Sequence, residues 1–212
     1  MLFSTFILFC LSFITLVNGH GYVTNIKGAN GKTENGFGVR AASIKPNNQG
    51  PTSVFRGNAA CGVGVEAGKI DIASSIEAAI KAGLPTANAS GSVSLTYQQV
   101  NGGADGGGPL TAEVDITGTG KSFKAITISK NFVDGGSNSA NPITIQLAAG
   151  TACTGGSNKS TCLVRVKNPR GFGSCFAVAC KFFLLSCMCH TMVLTRLLPS
   201  APRAAKNKAS IN

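Results

Sequence analysis

Hydrophobic and polar residues are arranged along this chain in a pattern that changes character twice. Leu2 to Val17 is an almost unbroken apolar run without a charge. Beyond it, apolar positions recur with a period of two, most clearly in Val93-Ser-Leu-Thr-Tyr97, Ala125-Ile-Thr-Ile-Ser129 and Ile143-Thr-Ile-Gln-Leu147. Successive side chains of a strand point to opposite faces, so this alternation marks strands with one buried face. Strands are predicted over Tyr22–Ile26, Ser92–Val100, Leu110–Ile116, Phe123–Asn131, Ile143–Ala148 and Leu163–Lys167, with Gly-, Asn- and Pro-containing turns between them. One segment has helical period instead. Asp71 can cap it, Ile72, Ile76, Ala79 and Ile80 form its apolar face, and Gly83 with Pro85 ends it. Thr33 to Asn58 is polar, punctuated by Gly and Pro, and reads as a long loop. The series predicts an all-β sandwich with one short helix and long loops.

The two flanking regions read differently. The apolar run ends at Val17-Asn18-Gly19, where small or β-branched residues occupy the positions a signal peptidase reads, and a Gly-rich polar sequence follows. Residues 1–19 are therefore expected to be a signal peptide, which leaves His20 as the first residue of a secreted chain. The run is too short for a comfortable membrane span, which needs about 20 apolar residues. At the other end, Cys180 to Leu198 is apolar and Cys-rich without a clean period, and Pro199–Asn212 is polar and basic. Arg196 interrupts any span there, and a glycolipid-anchor signal should end apolar. No stable membrane anchor is expected. The stretch Val178–Leu198 resembles translated non-coding sequence, so 20–180 is taken as the domain and 181–212 as an atypical tail.

Charge and cysteine content refine the picture. The formal net charge is +11, and the tail contributes Lys181, Arg196, Arg203, Lys206 and Lys208 without any acid. The remainder is mildly basic, which suits anionic partners such as an acidic polysaccharide. No nucleic-acid motif is present. Of the 8 cysteines, Cys10 leaves with the leader, so an odd number remains and at least one lacks an intrachain partner. Cys153 and Cys162 flank a Gly/Ser/Asn loop that a disulfide closes readily in an oxidising compartment, and Cys61 with Cys175 is the next pair by elimination. Asn88-Ala-Ser90 and Asn158-Lys-Ser160 are glycosylation sequons, meaningful in a secreted chain.

The candidate chemistry lies at His20. An N-terminal His offers its α-amino group and imidazole together, a bidentate nitrogen chelate, and nitrogen ligands in tetragonal geometry suit copper. Secreted polysaccharide monooxygenases build such a histidine brace with a second imidazole, commonly on an immunoglobulin-like β-sandwich. Other constellations are weaker. Glu113 and Asp115 share a strand face, as a glycosidase pair would, but a solvated strand face is the simpler expectation. Asp105 sits in a Gly-rich turn, and no nucleophilic triad is apparent. Trp is absent and Tyr22 and Tyr97 are the only tyrosines, which disfavours a flat aromatic platform for crystalline polymers.

His20-Gly-Tyr-Val-Thr-Asn-Ile-Lys-Gly-Ala-Asn-Gly31 resembles the mature start of the Egh-type fungal virulence factors, which are appressorium-expressed surface proteins. Asn58-Ala-Ala-Cys-Gly62, Tyr97-Gln-Gln-Val-Asn101, Asp105-Gly-Gly-Gly-Pro-Leu110, Cys162-Leu-Val-Arg-Val-Lys-Asn-Pro169 and Gly171-Phe-Gly-Ser-Cys175 extend the resemblance over about His20–Val178. It implies an immunoglobulin-like β-sandwich, extracellular or wall-associated, acting during host penetration. It also implies a metal site in which His20 supplies two nitrogens, position 98 the second ligand, and Phe172 the aromatic beside the axial face. The family often has His at position 98, and this chain has Gln98. Its only other imidazole, His190, lies in the tail. Three functions follow: a copper-binding protein like the polysaccharide monooxygenases, acting as a monomer on host cell-wall polysaccharide such as pectin; a non-catalytic surface or effector protein that binds wall polymer; or copper binding for acquisition, without oxidation.

Overall fold

The computed structural model describes residues 20–180. The expected leader (1–19), the atypical tail (181–212), Cys10 and His190 lie outside the described residues. Eleven strands are present among the described residues: β1 (Gly21–Lys27), β2 (Thr33–Glu34), β3 (Ser53–Val54), β4 (Val63–Gly64), β5 (Gly68–Lys69), β6 (Ser92–Gln99), β7 (Thr111–Asp115), β8 (Lys124–Lys130), β9 (Ser139–Gln146), β10 (Thr161–Lys167) and β11 (Phe172–Ala179). The helix α1 spans Ile72–Ala82, and α2 is a single turn, Gly103–Gly106. An all-β fold with one short helix is what the alternation predicts.

The strands form one antiparallel sheet in the order β2-β1-β6-β9-β8-β7-β10-β11-β3-β4-β5. It curls into two facing layers because β8 changes partners along its length. Lys124 to Ile126 pair with β7, and Thr127 to Lys130 pair with β9 across a register shift. The opposite seam is zipped by side-chain and loop contacts. The Val23 N–H donates to Ser174 Oγ (3.1 Å), the Gly36 N–H to Val23 O (3.0 Å) and the Phe37 N–H to Cys175 O (2.7 Å). Residue 36 has to be glycine here, because a Cβ would stand 2.6 Å from the Ser174 Cβ.

Between the layers lies the main core, with Val23, Tyr97, Ile143, Ile145, Val164, Val166 and Phe176 among its members. A second cluster forms on the outer side of β11, where Ile76 and Ala79 of α1 pack near Leu163, Ala177 and the Cys61–Cys175 disulfide. Helix α1 begins as its sequence dictates. Asp71 accepts from the Ser74 N–H (3.0 Å), and the Gly83 N–H closes the other end on Ala79 and Ile80.

β11 is the one long strand that alternation does not reveal. All eight of its residues are buried, because the core covers one face and α1 with its neighbours covers the other. Its sequence therefore lacks a polar face. β11 includes Val178 and Ala179, with Ala179 also hydrogen-bonded to Pro85 and Ala87, so the sheet takes in the first residues of the stretch that resembles non-coding sequence. The predicted loop 33–58 carries β2, β3 and a short 3-10 turn, Ala41–Ser43. Two-residue strands are too short to show a period.

Candidate metal centre

His20 precedes β1 at one end of the sandwich and is 8% exposed. Its carbonyl accepts from the Val100 N–H (2.9 Å), which continues the pairing of β1 with β6 by one step. Its own backbone nitrogen donates to Asn101 Oδ1 (3.1 Å). The imidazole lies against Phe172, with ring centroids 5.0 Å apart and planes inclined by 36°. Its Nδ1 is buried without a hydrogen-bond partner. Gly21 permits this placement, because a Cβ there would fall 2.3 Å from the Tyr97 hydroxyl.

Both neighbours of His20 are held firmly. Phe172 is 3% exposed and starts β11 after a tight turn. Its N–H donates to Asn168 Oδ1 (3.0 Å), and its carbonyl accepts from the Asn168 N–H (2.9 Å) and the Tyr97 hydroxyl (3.2 Å). Burial raises the Tyr97 phenol, so it stays protonated and able to donate. Asn101 is positioned by the fully buried Gln99, whose amide nitrogen donates to Asn101 O and Asp134 Oδ1 and whose Oε1 accepts from the Gly135 N–H. The Asp134 carboxylate also takes the Gly136 and Gly103 N–H groups. The Gln99 bond first, then those backbone donors, hold its carboxyl below the usual range. Side-chain amides and one carboxylate thus clamp the 100–107 and 132–138 loops around the residue that contacts the His20 nitrogen.

Among the described residues, two further buried polar atoms lack partners, Tyr22 Oη and Thr52 Oγ1. Tyr22 follows His20 on β1, and Thr52 immediately precedes β3, whose Val54 is paired with Phe172. His20 thus lies just before β1 and Tyr22 at its start, and Thr52 adjoins the strand that pairs with Phe172, the ring His20 lies against. Buried polar groups in folded proteins nearly always have partners, so three together mark this end of the molecule as unusual.

Among the residues singled out from sequence, His20 and Phe172 are in contact. Gln98 is part-buried on β6, paired with Tyr22 and Ala140, and no hydrogen bond joins it to His20. Asn101, Gln99 and Asp134 escape sequence reasoning, although Gln99 and Asn101 belong to the Tyr97–Asn101 motif. Asp134 lies 35 residues from Gln99 and has no local signal. The donors available around a metal are the His20 backbone nitrogen, which becomes a primary amine if the leader is removed, His20 Nδ1 and the amide oxygen of Asn101. No second imidazole exists among the described residues.

The other candidates resolve structurally. Glu113 and Asp115 are not a solvated face. Glu113 pairs with Arg165 (2.8 Å) and Lys167 (3.1 Å), and Arg165 also stacks over Phe123 at 3.9 Å. Asp115 is fully buried and accepts from Thr117, Thr119, Lys121 and Ser122 in the turn after β7. Asp105 pairs with Arg170 (3.6 Å) beside α2. The disulfides among the described residues are Cys61–Cys175 and Cys153–Cys162. Asn88 and Asn158 are exposed, each with its Oδ1 turned back onto the serine of its own sequon. Among the described residues no helix is long and apolar enough to cross a membrane.

The chain is 31% identical over 142 residues to the appressoria-specific virulence factor GAS2 of Pyricularia oryzae, covering 61% of this chain and 45% of that protein. It is 30% identical over 173 residues to the appressoria-specific virulence factor GAS1 of the same fungus, covering 72% of this chain and 67% of that protein. It thus spans about half the length of the first of these relatives. No solved structure matches it. The family model described as Egh16-like virulence factor matches residues 18–174, a span that starts just ahead of His20 and ends within β11. The chain belongs to the Egh16-like virulence factor family.

Proposed function

We propose that this chain is a secreted, virulence-associated fungal protein whose His20 site binds copper and acts on an anionic host cell-wall polysaccharide such as pectin. The observation that carries this reading is the His20 Nδ1 atom, buried beside Phe172 and without a partner. A buried imidazole nitrogen without a hydrogen bond is costly, and a metal would satisfy it. Asn101 holds the neighbouring backbone nitrogen in place through its own Gln99–Asp134 support. Phe172 covers the imidazole and restricts water on that side. Copper held by two nitrogens would supply one-electron chemistry toward an oxygen co-substrate. Two disulfides fit an oxidising extracellular compartment, and the names of GAS1 and GAS2 support a role during appressorium-stage infection.

A second reading rests on Gln98. With one imidazole among the described residues where a brace uses two, the same surface would serve a non-catalytic protein that binds wall polymer during penetration. Incubation with pectin, copper and ascorbate separates the two. Release of oxidised oligosaccharides that His20→Ala abolishes supports the enzyme. Retention of the protein on the polymer without oxidised products supports the binder. Gln98→His is expected to tighten copper binding, and unchanged affinity would place position 98 outside the site.

A further inference from the structure

The Cys153–Cys162 disulfide has a third sulfur beside it. The Sγ atoms of Cys153, Cys162 and Cys180 all lie within 4.8 Å of one another, and Cys180 forms no disulfide with any described cysteine. The register explains the placement. Cys162 on β10 is paired with Val178 on β11, and the Cys180 N–H donates to Ser160 O (3.2 Å), so the pairing continues past the end of β11. Residues 178 and 180 share a strand face, which puts the Cys180 thiol on the side of the sheet that carries Cys162. Cys153, Cys162 and Val178 belong to the main core, and Cys180 packs against it.

We propose that Cys180 is the nucleophile of an internal thiol–disulfide exchange that moves the covalent clasp from Cys153–Cys162 to Cys153–Cys180. The Cys180 thiol loses its proton to solvent, and its sulfur attacks the Cys153 sulfur. The Cys153–Cys162 bond breaks, and Cys162 leaves as a thiolate that takes up a proton. One disulfide and one thiol enter and one of each leaves, so no oxidant or reductant is needed. Attack at Cys153 is favoured over attack at Cys162 by the strand geometry. Cys162 and Cys180 are diagonal neighbours on paired strands, whose Cβ atoms usually stand farther apart than a disulfide allows. Cys153 lies in an irregular segment outside the strands and can turn toward Cys180. The exchange would replace the closure of one short loop by a tie from that loop to the end of β11.

Burial raises the Cys180 thiol to about 11, which keeps the thiolate scarce at neutral pH. The exchange is therefore slow near neutrality and accelerates about tenfold per pH unit below that value. The test uses the full chain secreted from a eukaryotic host. Samples are held at pH 7 and pH 9, quenched with N-ethylmaleimide and mapped by non-reducing peptide mass spectrometry. The expected result is label on Cys180 at the start, then label on Cys162 and a Cys153–Cys180 peptide, roughly a hundredfold faster at pH 9. In a Cys162→Ser variant, Cys153 and Cys180 should be joined on secretion. Label that stays on Cys180 at both pH values would overturn the proposal. So would a Cys180 disulfide to Cys187 or Cys189, or a Cys162→Ser protein in which Cys153 and Cys180 both remain alkylatable.

Discussion

Asp115 and His20 are both buried polar residues, placed toward opposite ends of β11, and their surroundings differ completely. Asp115, level with Leu163 and Ala177, collects hydrogen bonds from Thr117, Thr119, Lys121 and Ser122. His20, beside Phe172 at the start of β11, keeps Nδ1 unpartnered, with Tyr22 and Thr52 unpartnered on adjoining segments. The first arrangement fixes a turn, and its function is complete within the fold. The second leaves buried polar atoms without partners, which is the observation the proposed copper site rests on.

The sharpest contrast should appear in stability. Removing the Cys61–Cys175 disulfide by Cys61→Ala with Cys175→Ala is expected to cost about 4 kcal/mol in urea denaturation, because it closes a loop with a sequence separation of 114. A loss below about 1 kcal/mol would show that α1 and β11 pack adequately without it. Asp115→Ala should cost about 3 kcal/mol, since it removes a buried carboxylate that gathers the part-buried Thr117, Lys121 and Ser122 N–H groups of the turn. Burial alone would push the Asp115 carboxyl up, but the bonds from Thr117, Ser122 and Lys121 outweigh it and leave the carboxyl below its ordinary range. Its contribution is thus present above the unfolded value near 4 and is lost as pH falls through the lower folded value. An Asp115→Ala penalty that is unchanged at pH 2 would contradict this account.

Glu34 should behave in the opposite sense. Burial raises its carboxyl to about 7, so the folded chain binds a proton that the unfolded chain releases. Stability is undiminished at pH 4 and declines as pH rises from the unfolded value through 7. Glu34→Gln should therefore stabilise the protein by roughly 1–2 kcal/mol at pH 8, allowing for partial solvent screening, and by nothing at pH 4. Equal effects at both pH values would sink the assignment. The smallest effect is expected at the site itself. His20→Phe keeps the packing against Phe172 and removes the unpartnered nitrogen, so stability should change by less than about 1 kcal/mol. A loss as large as that of Asp115→Ala would make His20 a structural residue and erase the contrast.

Particular residues show how much of this was legible in the sequence. Strands with one wet face, such as β6 and β9, declared themselves through alternation, and Asp71 and Gly83 bracketed α1. β11 did not, because α1 and the core bury both its faces. The site was half legible. His20 stands out from local sequence, and Phe172 only through the family resemblance. The Gln99–Asp134 clamp on Asn101 joins loops that approach only when β6 and β9 pair, so no local pattern announces it. The seam contact from Val23 to Ser174, with a sequence separation of 151, is of the same kind.

The most direct test is a copper(II) titration of secreted protein that begins at His20, followed by electron paramagnetic resonance. A tight site with an axial, nitrogen-rich spectrum that is lost in His20→Phe is the predicted result. Binding no tighter than that of a free His-Gly peptide, with the same spectrum in wild type and His20→Phe, would contradict the copper reading.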